Sequence, residues 1–304
     1  MFCANDLHCH STASDGTLSP HALVLRAADA GVRVLALTDH DTTAGIEEAS
    51  LAARQCGLKL IPGVEISVTW NRQTVHIVGL NVDPDNRTLQ QGLSKLREFR
   101  DWRAREMAER LEKAGISGAY EGALAYSNGV LVSRTHFARF LVKQGVVSDE
   151  RKVFKRYLVS GKPGHVPGNW ASLEQVLGWI HAAGGEAVVA HPARYRMTGS
   201  KLRRLLKDFI RQRGEAIEVV SGSHGRDDYF RMAGLARDLG LKASVGSDFH
   251  SPENPWIELG RLPMLPDGCR PVWVDWDIPQ DSLDHSRQEM PGAPKAMPVG
   301  RTGS

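Results

Sequence analysis

The stretch NDLHCH at residues 5–10 decides how this chain is interpreted, because we expect it to form the first strand and it carries two histidines one residue apart. Side chains alternate between the two faces of a strand, so His8 and His10 point to one face and Cys9 to the other. The segment Asp248-Phe249-His250 repeats this arrangement near the opposite end of the chain. Two such pairs at strand ends predict a metal site.

Five further acidic or imidazole side chains lie between these two pairs: Asp15, His40, Glu65, His76 and His191. Most follow a predicted strand, and in barrels of parallel strands the carboxyl ends of the strands form the catalytic face. Six histidines with three carboxylates suit Mn²⁺, Fe²⁺ or Zn²⁺ better than Ca²⁺ or Mg²⁺, which prefer oxygen ligands. Nine ligands exceed the needs of one ion, so two or three divalent ions are expected, with an electropositive floor that suits phosphate.

The pattern of β-branched strands and amphipathic helices predicts an α/β barrel interrupted by a helical insert. The predicted strands are 5–10, 32–38, 58–67, 186–190, 216–220 and 242–246, with a hairpin arm at 74–81. The insert contains predicted helices at 93–114, 133–144 and 149–159. We therefore expect a barrel formed by residues 1–88 and 163–285, a substrate-capping helical subdomain at 89–162, and a disordered tail at 286–304, which is rich in Pro, Gly, Ser and Met.

The composition is that of an ordinary globular protein, with 304 residues, 41% hydrophobic content and a net charge of +3. Residues 1–6 show neither the basic nor the apolar segment of a signal peptide, and no stretch approaches roughly 18 apolar residues, so we expect a cytoplasmic protein without a membrane segment. Four scattered cysteines predict neither a disulfide framework nor a thiolate zinc site. Basic clusters at 134–162 and 194–213 suit a phosphorylated ligand, although a basic helix is as often only a solvated surface.

The ligand pattern resembles that of the PHP (polymerase and histidinol phosphatase) superfamily over residues 5–262. The resemblance implies a distorted (β/α)7 PHP barrel that binds two or three metal ions. It assigns the first ion to His8, His10, Glu65 and Asp248, the second to Glu65, His76 and His191, and the third to Asp15, His40 and His250.

Four softer motifs resemble the branch that contains RNase AM and the 3′,5′-nucleotide bisphosphate phosphatases. They are RTHFAR at 134–139, SGKP at 160–163, AHPARY at 190–195 and VSGSH at 220–224. This resemblance implies removal of the 3′-phosphate from nucleoside 3′,5′-bisphosphates, or stepwise release of 5′-nucleotides from short 5′-phosphorylated RNA. The expected ligands are a small nucleotide or short RNA and, as metal, Mn²⁺ with Zn²⁺ or Fe²⁺ as alternatives. No DNA duplex, membrane or protein partner is indicated.

The resemblance also suggests roles for individual residues. A water molecule activated by the metals would attack phosphorus in line with the leaving 3′-oxygen, with the ligands Asp248 and His191 essential for activity. Arg134, Lys162 and Arg194 would hold the remote 5′-phosphate. His224 is the candidate proton donor to the leaving oxygen. The remaining predicted substrate contacts are Asn169 and Ser221.

Two alternative functions remain open at this point. One is a PHP phosphatase of a non-nucleotide monoester such as histidinol phosphate or a sugar phosphate, against which the basic insert argues. The other is a non-catalytic, metal-stabilised PHP binding module, against which the complete ligand set argues.

Overall fold

The computed structural model describes residues 2–127 and 131–277, in which seven strands follow one another around a nearly closed barrel in chain order. The segment after the last strand pairs with the first strand. The Asp248 amide donates to the His8 carbonyl at 2.8 Å, and the His10 amide donates to the Phe249 carbonyl at 2.9 Å. The strands are β1 (Asn5–Cys9), β2 (Val34–Leu37), β3 (Lys59–Trp70), β4 (Gln73–Leu80), β5 (Glu186–Val189), β6 (Ala216–Ser221) and β7 (Lys242–Gly246). The predicted α/β barrel is confirmed.

Strand β4 runs against both of its neighbours, whereas the other paired strands are parallel. Trp70 pairs with Gln73, so only Asn71 and Arg72 form the turn from β3 to β4. These two residues have φ of 47° and 60°, the double positive φ of the tight turn that matches strand twist. The predicted hairpin arm is therefore the fourth barrel strand.

Nine helices are present in the described part of the chain. They are α1 (Pro20–Asp29), α2 (Ile46–Cys56), α3 (Arg87–Lys113), α4 (Ala119–Leu124), α5 (Arg134–Lys143), α6 (Glu150–Val153), α7 (Leu173–Ala182), α8 (Gly199–Arg211) and α9 (Arg226–Leu239). A π-helical turn, Phe154–Leu158, continues α6, and a 3-10 turn, Pro192–Tyr195, follows β5. Asp41 and Thr42 are the residue types that the sequence offers as the cap of α2, but that prediction is wrong, since the helix begins later, after Gly45.

Helices α3 to α6 form a helical insert between β4 and β5. Its own hydrophobic cluster includes Met107, Leu111, Phe137, Leu141 and Leu158. Helix α3 begins earlier than predicted, and Trp102, which we expected on its apolar side, is 52% exposed. The domain boundaries at residues 88 and 162 stay a prediction, and the tail at 286–304 lies outside the described residues.

The barrel interior is filled by small and branched apolar side chains. Leu7, Val34, Ile61, Val78 and Val188 form one buried cluster there. Burial of each such side chain stabilises the fold by roughly 1.5–3 kcal/mol before the entropic cost of ordering the chain is counted. Because apolar residues fill the centre, polar side chains have room only at the ends of the strands. In the described parts of the chain, no helix is both long enough and apolar enough to cross a membrane.

Candidate metal centre and catalytic cavity

The nine predicted ligands converge at one end of the barrel. Seven of them follow strands or end them, and their side chains are buried or nearly so. Strand alternation acts as expected at β1: the rings of His8 and His10 lie 5.1 Å apart, whereas Cys9 points away and its Sγ donates to the Ala36 carbonyl. Three overlapping groups have ligand atoms within 4.8 Å of one another: His8, His10, Glu65 and Asp248; His10, Asp15, His40 and His250; and His40, Glu65 and His76.

The first of these groups has the spacing of a chelating site. His8 Nε2 and His10 Nε2 are 3.1 Å apart, and each lies 3.4 Å from Glu65 Oε2. Asp248 Oδ1 is 3.6 Å from the first nitrogen and 3.3 Å from the second. Ligand atoms about 2.1 Å from a tetrahedral ion lie about 3.4 Å from each other, so these four side chains fit one divalent ion.

Glu65 is shared by more imidazoles than any other carboxylate among the described residues. Its Oε1 is 2.8 Å from His76 Nδ1 and 3.0 Å from His191 Nε2, and its Oε2 is 2.9 Å from His40 Nδ1. Burial would raise the pKa of this carboxyl, but its interactions with the imidazoles of His76, His40 and His8 hold the pKa well below its ordinary value. A bridging carboxylate between adjacent ions fits this position.

The chemistry of the donor set also fits metal ions. Burial lowers the pKa of His10 to about 3 and that of His76 to about 4, so both rings are neutral at pH 7, the state that binds metal. Buried Glu65 Oε2 and Asp15 Oδ1 have no hydrogen-bond donor among the described residues. Buried carboxylate oxygens without a donor cost free energy unless a cation is close.

Asp15 and His250 form the outer part of the cluster. His250 Nε2 is 3.3 Å from Asp15 Oδ1. Burial acts to lower the pKa of His250, but the negative charge of Asp15 outweighs it and raises the pKa to about 9. The electrostatic field there favours a positive charge, whether a proton or a metal ion.

Several residues behind the ligands fix their orientation. Glu218 on β6 places Oε1 2.5 Å from His8 Nδ1 and accepts the His191 backbone N–H at 2.6 Å, which is the usual carboxylate support of a metal-binding imidazole. Gly246 faces His8, and a Cβ there would lie 2.3 Å from His8 Cβ. His191 and Asp248 have φ of 29° and 56°, a region costly for non-glycine residues and concentrated at functional sites.

Between the barrel end and the helical insert lies a cavity of about 390 Å³. The ligand cluster lines one part of it, here called the floor, and another part, here called the arginine wall, consists of Arg100, Arg103, Arg134 and His165. Trp170, Phe154 and Thr74 also line it. The cavity therefore joins a candidate metal centre to a cationic surface.

Two members of the arginine wall lack a carboxylate partner among the described residues. Arg103 is 9% exposed and donates Nε to the Val166 carbonyl at 3.0 Å. Burial, with repulsion from Arg134 and Arg100, lowers the pKa of Arg103 to about 9. The pKa of Arg134 is lowered by burial and by Arg100 and Arg194. Buried cations in this state are stabilised by a bound anion.

Arg100 differs from these two because it is paired. Its Nε donates to Asp41 Oδ2 at 2.6 Å and its Nη2 to Ser67 Oγ at 2.8 Å. Asp41 also accepts the Ser67 backbone N–H at 2.8 Å. This buried pair attaches the insert to the barrel immediately after His40.

The structure does not bring four of the predicted substrate contacts to the cavity. Lys162 and Asn169 are exposed, Ser221 is buried with its Oγ 3.3 Å from Ser223 Oγ, and none of the three lines the cavity. His224 is buried, with Nδ1 3.2 Å from the Val219 carbonyl and Nε2 3.3 Å from the Ala193 amide. Both ring nitrogens are engaged with backbone, so His224 is not positioned to protonate a leaving oxygen.

Arg194 does reach the cavity, but at the metal end. Its Nη1 is 2.5 Å from Asp248 Oδ2, and that carboxylate raises the pKa of Arg194. Its predicted role in holding a remote phosphate stays a prediction, and the structure places it beside the predicted metal ligand Asp248. Arg134 is the member of the predicted clamp that lies on the arginine wall.

Sequence reasoning missed Arg100, Arg103 and Glu218, although each leaves a signal. The two arginines interrupt the apolar face of α3 that Leu96 and Met107 continue on either side. Glu218 is the single acid in the apolar strand AIEVVS. A charge in a face that periodicity assigns to the core predicts a buried partner or ligand.

Comparison with known proteins gives consistent matches along most of the chain. The family model described as PHP domain matches residues 6–221. A Chromobacterium violaceum protein named 3′,5′-nucleoside bisphosphate phosphatase is 51% identical over 269 residues, which cover 88% of this chain and 94% of that protein. The Escherichia coli (strain K12) protein named 5′-3′ exoribonuclease Rnm is 48% identical over 281 residues, covering 92% and 96%.

The solved structures agree with the sequence comparison. An amidohydrolase from Chromobacterium violaceum, solved with bound sulfate and no metal, has a TM-score of 0.86 and 50% sequence identity, covering 89% of this chain and 95% of that one. A putative metal-dependent phosphoesterase from Bifidobacterium adolescentis has a TM-score of 0.77 and 29% identity, covering 86% and 92%. The family resemblance read from the ligand pattern is confirmed: this chain belongs to the PHP domain family.

Proposed function

We propose that this protein is a metal-dependent phosphoesterase that removes the 3′-phosphate of nucleoside 3′,5′-bisphosphates, such as adenosine 3′,5′-bisphosphate, and also trims short 5′-phosphorylated RNA from its 5′ end. The observation that carries the proposal is that one cavity is lined both by the histidines and carboxylates of the ligand cluster and by arginines without carboxylate partners among the described residues. A substrate with two phosphates suits both sets of residues. The names of the relatives at about half identity support the same substrate class.

The ligand cluster would hold two or three divalent ions, with Mn²⁺ as the expected metal. Such ions activate water and neutralise phosphate charge. We keep the assignment of His8, His10, Glu65 and Asp248 to one ion, because their spacing fits it. Glu65 would also serve the second ion with His76 and His191, and Asp15, His40 and His250 would hold the third.

The chain's own residues orient the reacting phosphate. Arg194, held by Asp248, presents its guanidinium beside the cluster, where it can donate hydrogen bonds to non-bridging phosphate oxygens. Water adds to phosphorus as the P–O3′ bond breaks, and the departing O3′ gains a proton. The products are the 5′-nucleotide and either inorganic phosphate or a shortened 5′-phosphorylated RNA.

The arginine wall would hold the phosphate that does not react. Arg103 and Arg134 lie on the cavity without carboxylate partners among the described residues, and His165 lies beside them. Burial, with the charges of Arg103 and Arg134, lowers the pKa of His165, so that ring is a neutral hydrogen-bond donor at pH 7. Binding energy gained at a remote phosphate positions the reacting one and raises the rate of the chemical step.

The helical insert would then act as a substrate cap. It supplies the arginine wall through α3 and α5, and it contacts the loop after β1, where Ser133 Oγ donates to Asp15 Oδ2 at 3.0 Å and Arg139 Nη2 to the Asp15 carbonyl at 2.9 Å. We keep the cytoplasm as the expected location, which cell fractionation would test.

The experiment that tests the function compares adenosine 3′,5′-bisphosphate with 3′-AMP, using metal-free protein to which Mn²⁺ is restored. We expect fast release of AMP and phosphate from the bisphosphate and slow turnover of 3′-AMP, which lacks the second phosphate. Equal rates on the two substrates would still support a phosphatase but would contradict the proposed role of the arginine wall in binding the second phosphate. No release from either substrate would remove the proposed function.

A further inference from the structure

The barrel face has a second side that the insert does not cover. The polar contacts between insert and barrel reach Asp15, Asp41 and Ser67, which follow β1 and β2 or lie in β3. The loops that follow β5, β6 and β7 remain exposed along residues 194–200, 222–227 and 251–257. This surface, here called the open rim, is continuous with the cavity through Arg194 and His250.

Trp256 on the open rim is the most exposed large hydrophobic side chain among the described residues, at 82%. It lies six positions after the predicted ligand His250. The loop is held by turns in which the Asn254 amide donates to the Ser251 carbonyl and the Ile257 amide to the Asn254 carbonyl, both at 3.3 Å. Its neighbour Ile257 packs against the cluster that contains Phe249.

The loop exits meet beneath this tryptophan. A Cβ added to Gly222, after β6, would lie 3.2 Å from Ile257 Cγ2 and 2.1 Å from the Ser247 carbonyl oxygen. Trp256 is therefore displayed from an anchored loop over the ends of β6 and β7. The backbone of this loop is held by turns, and the indole offers a flat apolar surface to solvent.

The same rim carries positive charge. Arg194 is 51% exposed although its Nη1 contacts Asp248, and both Arg196, after β5, and Arg226, at the start of α9, are exposed. Exposed cations on the same rim as an aromatic side chain are a combination that can bind single-stranded nucleic acid through base stacking and backbone phosphates. Asp227, which follows Arg226, is an exposed acidic residue of the rim. Glu253 is the acidic residue of the Trp256 loop, and it lies on the side toward Glu150 of the insert.

The direction of the substrate fixes which part of an RNA would reach this rim. When the 5′-phosphate lies on the arginine wall and the scissile phosphate on the ligand cluster, the nucleotide beyond the scissile phosphate continues away from the insert. A mononucleotide bisphosphate ends at the cluster and has no such group. We infer that the open rim binds the nucleotide that follows the scissile phosphate of an RNA, with its base stacked on Trp256 and its backbone near Arg196.

This inference rests on the proposed function, and one experiment separates the two. The Trp256→Ala variant and the wild-type protein, both with Mn²⁺, are compared on adenosine 3′,5′-bisphosphate and on a 5′-phosphorylated trinucleotide. Because stacking on an aromatic side chain is worth about 5- to 100-fold in affinity, we expect kcat/KM for the trinucleotide to fall by about that factor. Turnover of the bisphosphate should be unchanged, and Trp256→Phe should restore most of the trinucleotide rate.

The matched control is Phe2→Ala, since Phe2 is 60% exposed and lies before β1, at the opposite end of the barrel. It should change neither rate. Equal kcat/KM of wild type and Trp256→Ala on the trinucleotide, or a parallel fall on both substrates, would overturn the inference. Fluorescence anisotropy with a trinucleotide whose first linkage cannot be hydrolysed measures binding independently of catalysis. A wild-type protein inactive on both substrates would contradict the proposed function. Unchanged affinity of Trp256→Ala for this trinucleotide would contradict the role of the open rim in binding.

Discussion

The floor of the cavity takes its side chains from strand ends of the barrel, whereas the arginine wall takes its cations from helices and a loop far apart in the chain. The floor residues are locked by neighbouring strands and by Glu218 and Gly246. The wall residues are held by one buried ion pair, by carbonyls such as that of Val166, and by the hydrophobic cluster of the insert. The floor supplies the side chains that suit metal ions, and the wall supplies the cations that we propose hold the second phosphate.

The largest expected effect on activity comes from substituting Glu65, the carboxylate at the centre of the floor. Glu65→Gln should lower kcat/KM by about three orders of magnitude, as removal of a group on which a catalytic unit depends usually does, and should lower bound metal. Activity and metal content by mass spectrometry would check this. Glu218→Gln is the graded control, with an expected 10- to 100-fold loss of metal affinity. Full metal content in Glu65→Gln would show that floor ligands are not interdependent.

A change in the wall should alter selectivity and spare the chemistry. Arg134→Ala removes a charged donor, which is worth roughly 1.5–3 kcal/mol, so kcat/KM for the bisphosphate should fall about 10- to 100-fold. Turnover of 3′-AMP should stay the same, because that substrate does not reach the wall. Lys162→Ala, whose side chain is exposed outside the cavity, should match wild type on both. An equal loss of kcat/KM on the two substrates in Arg134→Ala would show that the wall and the floor do not act separately.

The link between the two regions can be broken at Asp41. Asp41→Asn leaves the buried Arg100 guanidinium without its countercharge, and loss of one partner of a buried pair lowers the free energy of unfolding by about 3 kcal/mol. Urea denaturation at fixed metal concentration would measure this. Asp101→Asn on the same helix breaks an exposed pair with Arg105 and should cost no more than about 0.5 kcal/mol. Similar costs for the two variants would argue against Asp41 as the attachment of the insert.

The smallest effect on catalysis is expected at His224. His224→Gln removes hydrogen bonds to the Val219 carbonyl and the Ala193 amide, each worth about 1 kcal/mol of stability. Since neither ring nitrogen is free to reach a substrate, kcat at saturating bisphosphate should stay within about twofold. The pH dependence of kcat tests this prediction more sharply. If the fall of kcat at low or high pH seen in the wild type is lost in the variant, His224 would be the proton donor after all.

The contrast between floor and wall also explains what the sequence could reveal. His8 with His10, and Asp248 with His250, were readable because a period of two fixes which side chains share a strand face. Arg103 and Arg134 meet only through packing of α3 and α5, which no local pattern encodes, and Lys162 looked equally suitable by charge. The short helix Ala119–Leu124 was missed for the same reason, and the predicted helix at 149–159 was found with a π-helical turn at Phe154–Leu158, since tertiary contacts decide such short segments.

The reversed direction of β4 has a consequence for which substrates fit. Because β4 runs away from the ligand cluster, the chain leaves the barrel at its far end, where Asn86 Nδ2 donates to the Ala182 carbonyl at 2.9 Å. Helix α3 then runs back toward the end of the barrel that carries the ligand cluster, and its 27 residues span about 40 Å. Arg100 and Arg103 lie partway along it, so the length of the helix below them sets their height above the floor. The length of α3 thus sets how far Arg100 and Arg103 lie from the ligand cluster. We expect one helical turn more or less to shift these two arginines by about 5.4 Å and to favour a substrate with a different distance between its two phosphates.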